Sequence, residues 1–441
     1  MKRDAAPVVV KLGGELLESA ERLEAVVHAI AHIAAGDLHP PLAIVHGGGR
    51  EIDAALKIAG IEKRQVDTLK AVRTIADALG RRAFEIGAAG LKDARAVSRQ
   101  ILSVEHVEPA AVEGLQLPDI RVLWARRHRN KLKLGHLRGN KFVIKLRSVR
   151  PAHKADAEAT LAILRKRGVP NYFGPQRFGM RGDSWQIGRA IVRQDETEAI
   201  DVLCGRPAEG DSPAVYKARQ LYDAGQFHEA STVWPYNCRE ERIALKAMTK
   251  AKGSHRRALF AIDRSLKRLY VSAYQSWLFN QILAERVRLG ALDQVWPGDM
   301  AWLHDRGAVF LVEDAAVEQL RADTLEISPS GPLFGSRTTM AQGRAGEMET
   351  AVLASQAVTP EHFRNVKGQK VRGARRPLRF PLSDLDFASG EDEHGAYFEL
   401  RFYLPAGCYA TSLLREICKG DARTINASGE GIIDETEVEE E

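Results

Sequence analysis

The most informative stretch of the chain is Gly87-Ala88-Ala89-Gly90-Leu91-Lys92-Asp93-Ala94-Arg95-Ala96-Val97-Ser98-Arg99-Gln100, which contains one carboxylate. Its glycines let the backbone turn without a Cβ penalty. Lys92, Arg95 and Arg99 can keep the Asp93 carboxylate ionised through opposite charge and hydrogen bonding. An ionised aspartate can serve as a nucleophile or a base. The alternative is structural, with Asp93 near the start of a following helix as its cap or dipole partner.

The composition indicates a soluble protein of two or three domains, because the 441 residues are 44% hydrophobic and contain no apolar run long enough to span a membrane. The start of the chain lacks the apolar core of a secretory signal, so we expect a cytoplasmic protein. The four cysteines form no CxxC pair, which argues against a zinc site or a disulfide framework. We expect neither a metal nor a cofactor.

The charge pattern favours a polyanionic partner over a membrane surface. The net charge is +6, and residues 430–441 carry seven acids and no Lys or Arg. Removing those seven negative charges leaves +13 for residues 1–429, and no Lys/Arg-rich amphipathic helix with a bulky apolar face is present. We expect residues 430–441 to form an acidic, disordered tail.

The first 66 residues read as a separate βαβ unit. Strands are predicted over 8–14 and 42–45, with an amphipathic helix over 19–35 between them. The segments KLGG and HGGGRE resemble the opening of acetylglutamate kinase, of the amino acid kinase family. That resemblance implies that Lys11, Gly13 and Gly14 face nucleotide phosphates, and that Gly48 and Gly49 face the acyl amino acid. It ends near residue 66, so the alternative is an αβ unit attached to another domain.

The strongest electrostatic signal follows a strand predicted over 120–124. Nine cations occur within twenty-two residues, and no acid lies between Asp119 and Asp156; they are Arg126, Arg127, Arg129, Lys131, Lys133, Arg138, Lys141, Lys145 and Arg147. Such a density of positive charge repels itself unless phosphates approach it. Residues 139–147 alternate apolar and basic side chains, the period of a strand with one wet face. In it, Phe142 is either core or stacks on an extruded base, and Asn140 either reads a base edge or holds a turn.

Helices are predicted on both sides of this run, over 68–79 and 155–167, each followed by a glycine. The next segment, VPNYFGPQRFG at 169–179, has its backbone restricted by two prolines and contains aromatic and basic side chains. It is either a rigid domain junction or a surface that stacks on bases and binds phosphates. Residues 180–375 read as largely helical, with main segments over 214–227, 239–250 and 258–289, and strand character returns over 396–404.

Six motifs in this order are similar to those of the tRNA pseudouridine synthase D family: GLKDARAVSRQ, RHRNKLKLGHLRGNKF, VPNYFGPQRFG, LYVSAYQSWLFN, SGPLFG and LPAGCYATSLLREI. The resemblance covers residues 67–421 and implies conversion of a uridine of tRNA, position 13 in tRNA numbering, to pseudouridine. It implies that Asp93 is the nucleophile, that Phe142 stacks on the flipped uracil, and that Asn140 shapes the pocket around Asp93. Further substrate-binding residues expected from it are Lys92, Arg95, Arg138, Asn171, Phe173, Gln176 and Arg177.

The family fold implied is α+β, with a mixed-sheet catalytic domain interrupted by a largely helical inserted domain. We therefore expect a βαβ fragment at 1–66, catalytic parts at 67–168 and 377–429, the inserted domain at 169–376, and the tail at 430–441. Members of the family normally begin with a Pro-x-Asp-Phe-x-Val-x-Glu strand that this sequence lacks. The alternatives to an active synthase are therefore a catalytically impaired tRNA-binding protein and, more remotely, an amino acid kinase. No membrane and no obligate protein partner are expected.

Overall fold

The computed structural model describes residues 8–12, 42–46, 66–92, 96–147, 149–392, 395–419 and 434–438. Its strands are β1 (Val8–Leu12), β2 (Leu42–His46), β3 (Ile86–Ala88), β4 (Val97–Ser98), β5 (Leu102–Val104), β6 (Gly139–Arg147), β7 (Val169–Pro170), β8 (Met300–Leu303), β9 (Val309–Leu311), β10 (Ile327–Leu333), β11 (Ala374–Pro377), β12 (Arg379–Phe380), β13 (Ser383–Asp392), β14 (Gly395–Pro405) and β15 (Asp434–Val438).

The helices are α1 (Thr68–Ala78), α2 (Pro109–Glu113), α3 (Lys154–Arg167), α4 (Ser184–Val192), α5 (Glu196–Cys204), α6 (Pro213–Asp223), α7 (Phe227–Val233), α8 (Arg239–Lys250), α9 (His255–Ala261), α10 (Arg264–Arg288), α11 (Ala315–Asp323), α12 (Gly343–Ser355), α13 (Pro360–Arg364) and α14 (Ala410–Cys418). None of them, within the residues described, is long and apolar enough to cross a membrane. The predicted α+β class is confirmed.

The chain divides into two compact units along its length. Unit 1 comprises Met1–Lys154, Asp384–Ala406 and Ile425–Glu441, and unit 2 comprises Ala155–Ser383 and Gly407–Thr424. The chain therefore leaves unit 1 and returns to it, as expected of a domain inserted into another. The inserted domain is predicted to begin at residue 169, which is 14 residues after unit 2 begins at Ala155, and residues 407–424, predicted as catalytic, belong to unit 2. The predicted domain boundaries stay predictions.

At the start of unit 1, β1 and β2 pair in parallel, with Val8 opposite Leu42 and Leu12 opposite His46. Two strands were predicted here. The predicted helix between them, both glycine-rich turns and the residues expected to face a nucleotide lie outside the described residues. The resemblance to an amino acid kinase therefore stays a prediction.

The main sheet of unit 1 has the strand order β13-β14-β6-β15-β4. β6 pairs antiparallel with β14 over nine residue pairs, from Gly139↔Pro405 to Arg147↔Tyr397. The predicted alternation is confirmed, because Phe142, Ile144 and Leu146 are buried and the residues between them are only partly so. β15 pairs antiparallel with β6 and parallel with β4. The prediction that the acidic tail is disordered is therefore wrong for Asp434–Val438, because these residues pair with two strands of the sheet.

A smaller element of unit 1 joins α1 to the antiparallel pair β3–β5. Asp67 caps α1 by accepting a hydrogen bond from the Lys70 backbone N–H at 2.6 Å. Ile75, Ala76 and Ile86 form its small core, so the helix predicted over 68–79 is confirmed. The strand predicted over 120–124 is wrong: only an isolated bridge at Ile120 forms. Leu123 and Trp124 are about half exposed and bury too little to hold a strand.

Unit 2 is mainly helical and packs around α10. The core of this unit includes Tyr274, Leu278 and Phe279, which are fully buried. The predicted helix over 258–289 is instead two helices, because Asp263 breaks it and caps α10 by accepting from the Ser265 N–H at 2.7 Å. Beside the helices lie a sheet of order β11-β10-β8-β9 and the antiparallel pair β7–β12.

Several arginines of unit 2 are buried and hold the helices and strands of this unit together. Arg375 forms an ion pair with Glu349 at 2.7 Å, and Arg286 forms a close ion pair with Asp299. Arg379 donates to the carbonyls of Arg167 (2.7 Å) and Ala322 (2.6 Å). Burial lowers the pKa of Arg379 to about 10, so this side chain still carries its charge at neutral pH.

His304 makes unit 2 sensitive to acid. Its Nε2 lies 2.8 Å from Ser328 Oγ, and Arg379 Nε donates to the same oxygen at 3.0 Å. Burial, together with the Arg379 charge, lowers the pKa of His304 to about 4. The unfolded chain binds the proton near pH 6.5, so the stability from neutral His304 is present above pH 6.5 and is lost as the pH falls towards 4.

We expect the wild-type protein to lose about 2 kcal/mol of unfolding free energy between pH 7 and pH 5 through His304 alone. His304→Gln keeps a hydrogen-bonding side chain but cannot titrate, so the loss in this variant should be smaller by that amount. Urea unfolding at both pH values measures the difference, with the exposed His136→Gln as control. Equal pH dependence in wild type and His304→Gln would contradict the assignment.

Candidate active site

The loop that leads to Asp93 begins where β3 passes very close to the basic run. A Cβ on Gly87 would lie 2.2 Å from the Leu132 carbonyl oxygen and 2.7 Å from Ser103 Oγ, so only glycine fits there. The Leu132 backbone N–H donates to Ser103 Oγ at 2.9 Å, which ties the two segments together. The glycine predicted to let the backbone turn thus also allows β3 to approach the basic run closely.

Two polar side chains hold this loop from either side. Thr68 Oγ1 accepts from the Lys92 backbone N–H at 2.7 Å and donates to Gln100 Oε1 at 2.9 Å. Gln100 Nε2 donates to the Gly90 carbonyl at 2.6 Å. The loop is therefore fixed both before and after Asp93. Sequence reasoning missed Thr68 and Gln100 as site residues, because a helix-start threonine and a glutamine among arginines give no distinctive signal.

Asp93 and Arg95, two residues of the predicted site, lie outside the described residues. The segment that follows them forms strand β4 at Val97–Ser98. The structural alternative was that Asp93 caps a helix that follows it. Residues 96–100 contain strand β4 and no helix, so this alternative is wrong for them.

Lys92 and Asn140, both predicted site residues, are brought together across unit 1. Lys92 Nζ donates to Asn140 Oδ1 at 2.7 Å, and the Lys92 side chain is buried. Asn140 stands near the start of β6, with its backbone opposite Leu404 of β14. The buried ammonium of the residue that precedes Asp93 in the sequence is therefore held by an amide oxygen of β6.

Phe142, predicted to stack on the uracil, is itself part of the sheet core in this structure. Its ring is 6% exposed and stacks on the Phe402 ring, with centroids 5.4 Å apart. Phe142 is thus a core residue, which was one of the two interpretations of its position. Its stacking on a base stays a prediction. Arg138, two residues before Asn140, is exposed, and its carbonyl accepts from the Ala406 N–H at 2.8 Å.

The basic run is partly neutralised by acids from elsewhere in unit 1. These ion pairs are Arg127–Glu108, Lys131–Glu105, Lys141–Asp384, Lys145–Asp392 and Arg147–Asp392. Lys131 lowers the pKa of Glu105, chiefly through their hydrogen bond, so the pair is ionised at neutral pH. In the described part of the chain, no carboxylate lies within 4 Å of the cations of Arg126, Arg129, Lys133 or Arg138. Only part of the predicted charge remains for an outside partner.

In unit 2, Asn171 is almost fully buried and holds the VPNYFG segment in place. Its N–H donates to the Leu378 carbonyl and its Nδ2 to the Pro377 carbonyl, both at 2.9 Å. Its Oδ1 accepts a close hydrogen bond from Arg376. Asn171 thus acts as a structural clamp in this position.

Arg376 lies at the centre of an aromatic cluster. Its guanidinium carbon lies 4.2 Å from the centroid of the Phe173 ring, and it also approaches the rings of Phe279 and Tyr409. Burial lowers the pKa of Arg376, and the same burial raises the pKa of the neighbouring Cys408 thiol to about 12. The thiol is therefore protonated at neutral pH, while the arginine supplies a cation.

The remaining predicted residues of unit 2 differ in exposure. Phe173 is 9% exposed, and its backbone exchanges two hydrogen bonds with the Asn280 side chain, at 2.9 and 3.0 Å. Arg177 donates to Ser272 Oγ at 2.5 Å and to Ser276 Oγ at 3.2 Å. Gln176 is exposed. The sequence analysis named Phe173 and Arg177 but missed Arg376, because one arginine among several gives no distinctive signal.

The hydrogen bonds of Thr68 Oγ1, here called the Thr68 clamp, can be tested directly by mutation. In Thr68→Val the buried Lys92 N–H loses its acceptor, which we expect to cost about 1–3 kcal/mol of unfolding free energy in urea. Thr74→Val on the same helix is the matched control, because no hydrogen bond of the Thr74 side chain is present in the described residues. Equal stability of the two variants would mean that the clamp is not formed.

Most of the chain is similar to known proteins of one family. Residues 48–417 match the family described as TruD: tRNA pseudouridine synthase D (TruD). The tRNA pseudouridine synthase D of Geobacter metallireducens is 44% identical over 380 residues, 86% of this chain and 91% of that protein. That of Thermus thermophilus is 37% identical over 363 residues, 82% of this chain and 81% of that protein.

A solved structure from Methanosarcina mazei, assigned to tRNA pseudouridine synthase D, aligns with a TM-score of 0.71 at 30% identity. It covers 81% of this chain and 86% of that one. The family match spans well over half of the chain, and the Geobacter relative is matched along nearly its whole length. The chain therefore belongs to the tRNA pseudouridine synthase D family.

Proposed function

We propose that this chain isomerises a uridine of tRNA to pseudouridine, with Asp93 as the nucleophile. The observation that carries the proposal is the family match over residues 48–417, which includes all six motifs that resemble the family. The geometry of unit 1 supports it, because the loop before Asp93 is fixed by Thr68 and Gln100 and its Lys92 is bound to Asn140.

The reaction requires no net oxidation or reduction. The bond from the ribose C1′ to N1 of uracil breaks, a bond from C1′ to C5 forms, the hydrogen on C5 leaves, and N1 gains a hydrogen. Asp93 can add to the base, attack C1′, or remove a proton from the sugar, and each route needs an ionised carboxylate beside the nucleoside. The Lys92 ammonium, the residue before it, favours that ionised form.

The freed uracil must be held while it turns. We propose that Phe142 offers a ring face to it and that Asn140, oriented by Lys92 Nζ, lines the pocket. Arg95, Asn171, Phe173, Gln176 and Arg177 complete the proposed set of substrate contacts. Asn171 contributes by positioning Arg376, since its own polar atoms are occupied.

The partner proposed is tRNA, and the modified residue is uridine 13 in tRNA numbering. Arg126, Arg129, Lys133 and Arg138 are the cations of the basic run left for phosphates, and all four are exposed. We further propose that the protein works in the cytoplasm without an obligate protein partner.

Asp93→Asn should abolish pseudouridine formation while leaving tRNA binding within about twofold, because it removes a charge but little volume. Formation is measured on an unmodified tRNA transcript by mapping each pseudouridine, and binding is measured by filter retention. Glu113→Gln, an exposed acid of α2, is the control and should behave as wild type.

The outcomes of this experiment separate the alternatives. If Asp93→Asn still forms pseudouridine, Asp93 is not the nucleophile. Binding without turnover in the wild type would favour the impaired tRNA-binding protein. A modification mapped at a uridine other than 13 would correct the position and leave the reaction standing.

Phe142→Leu and Phe402→Leu form a matched pair, because both rings are buried and stack on each other. Both variants should lose a similar amount of stability, about 1–2 kcal/mol for a ring replaced by a smaller apolar side chain. Only Phe142→Leu should also lower kcat, by roughly 5- to 100-fold, if its ring holds the uracil. A similar kcat for the two variants would assign Phe142 to the core alone.

A further inference from the structure

Unit 2 contains a cavity of about 280 Å³ that no residue of the proposed site lines. It lies between α10, the end of β10 and the segment 369–374. Its volume is just below the roughly 300 Å³ at which small-molecule sites begin. It therefore suits a ligand of about the size of one nucleotide.

The walls of the cavity are tightly built. A Cβ on Gly335 would lie 2.2 Å from the Gly373 backbone nitrogen, so these two segments touch through glycine. The N–H groups of Ser336 and Arg337 donate to the carbonyls of Val371 and Arg372, each at 2.8 Å. The 371–373 wall of the cavity is thus held in place by backbone contacts.

Among the residues that the structure describes, one polar atom in the cavity wall has no hydrogen-bond partner. Gln369 is 9% exposed, and its Oε1 is buried without a hydrogen-bond donor. Leaving such an acceptor unpaired costs about 1–3 kcal/mol. A ligand that brings an N–H or O–H group to this oxygen removes that cost.

The rim of the cavity carries three exposed cations, Arg268, Lys370 and Arg372. Within the described residues, no carboxylate lies within 4 Å of their charged groups. Three like charges around one small opening repel each other unless an anion binds between them. Phosphate matches this arrangement, and arginine binds it in a bidentate manner.

The cavity also adjoins the aromatic cluster around Arg376 in unit 2. Ala374 lines it, and Arg376 follows two residues later on β11, on the same face of the strand and about 7 Å away. Arg375, between them, points to the opposite side and is buried against Glu349. Leu333 and Val371 supply apolar surface for a ribose or a base.

We propose that this cavity binds one ribonucleotide of the tRNA substrate, distinct from the target uridine. Its phosphate lies at Arg268, Lys370 and Arg372, and its 2′-hydroxyl or a base N–H donates to Gln369 Oε1. The inference rests on the proposed function, since it takes tRNA as the ligand.

The charge arm of the test uses Arg268→Gln, Lys370→Gln and Arg372→Gln together. Affinity for an unmodified tRNA transcript should fall roughly tenfold, and the slope of log affinity against log salt should flatten by about one unit, as for one or two phosphates lost. The control removes three exposed lysines of α6 and α8, with Lys217→Gln, Lys246→Gln and Lys250→Gln, and should change neither quantity. Equal effects in the two triple variants would overturn the proposal.

The amide arm uses Gln369→Leu, which keeps volume but removes the unpaired acceptor. This variant should unfold at a higher urea concentration and should raise KM for the tRNA transcript about 5- to 10-fold with kcat within about twofold. A gain in stability with unchanged KM and affinity would overturn the proposal, because the acceptor would then have no ligand.

The two arms also separate this inference from the proposed reaction. Affinity and salt slope need no turnover, so they test the cavity even if the wild type forms no pseudouridine. If the wild type forms pseudouridine and neither cavity variant changes affinity, salt slope or KM, the proposed reaction stands. The cavity would then have no part in tRNA binding.

Discussion

The nine-residue pairing of β6 with β14 is the constraint on which unit 1 depends. It joins Phe142 to Phe402, residues separated by the long Ala155–Ser383 segment of unit 2. Successive residues of a strand face opposite sides of its sheet, so a slip of one residue would turn Phe142, Ile144 and Leu146 out of the core. The same register determines where Asn140 stands, and through Asn140 the position of Lys92.

Unit 2 uses arginine in two different ways. Buried arginines such as Arg286, Arg375 and Arg379 saturate carboxylates and backbone carbonyls, and their charge is not available to a partner. Exposed arginines such as Arg268 and Arg372 have no such partners in the described residues. The formal net charge of +6 therefore says little about where a polyanion binds. The distribution of acids in three dimensions decides that.

The parts of the fold that sequence predicted are those set by local pattern. The helix at Thr68–Ala78 and the alternation along β6 follow from periodicity, and glycines end both α1 and α3. Two predictions of secondary structure were wrong, each for a physical reason. Residues 120–124 have β-forming side chains but no partner strand, and one aspartate at 263 divides a long helical pattern.

The site was harder to predict from the sequence, because its contacts join residues that are far apart along the chain. Lys92 and Asn140 were each named, but their hydrogen bond spans 48 positions and no spacing rule gives it. The acids that neutralise the basic run, Glu105 and Asp392 among them, lie outside it in the sequence. The role of Asp93 came from motifs alone, and the described residues add only how the loop before it is held.

The distance along the chain between β6 and β14 also matters while the protein is being made. About 250 residues separate the two strands, which at roughly 5–20 residues per second takes on the order of 10–50 s of translation. During that time β6 leaves the ribosome with an apolar face and no partner on the β14 side, a state that invites pairing with other chains. Lys141, Lys145 and Arg147 stand between its apolar residues, and like charges on two nascent copies repel each other. In the folded chain these three cations pair with Asp384 and Asp392 of β13.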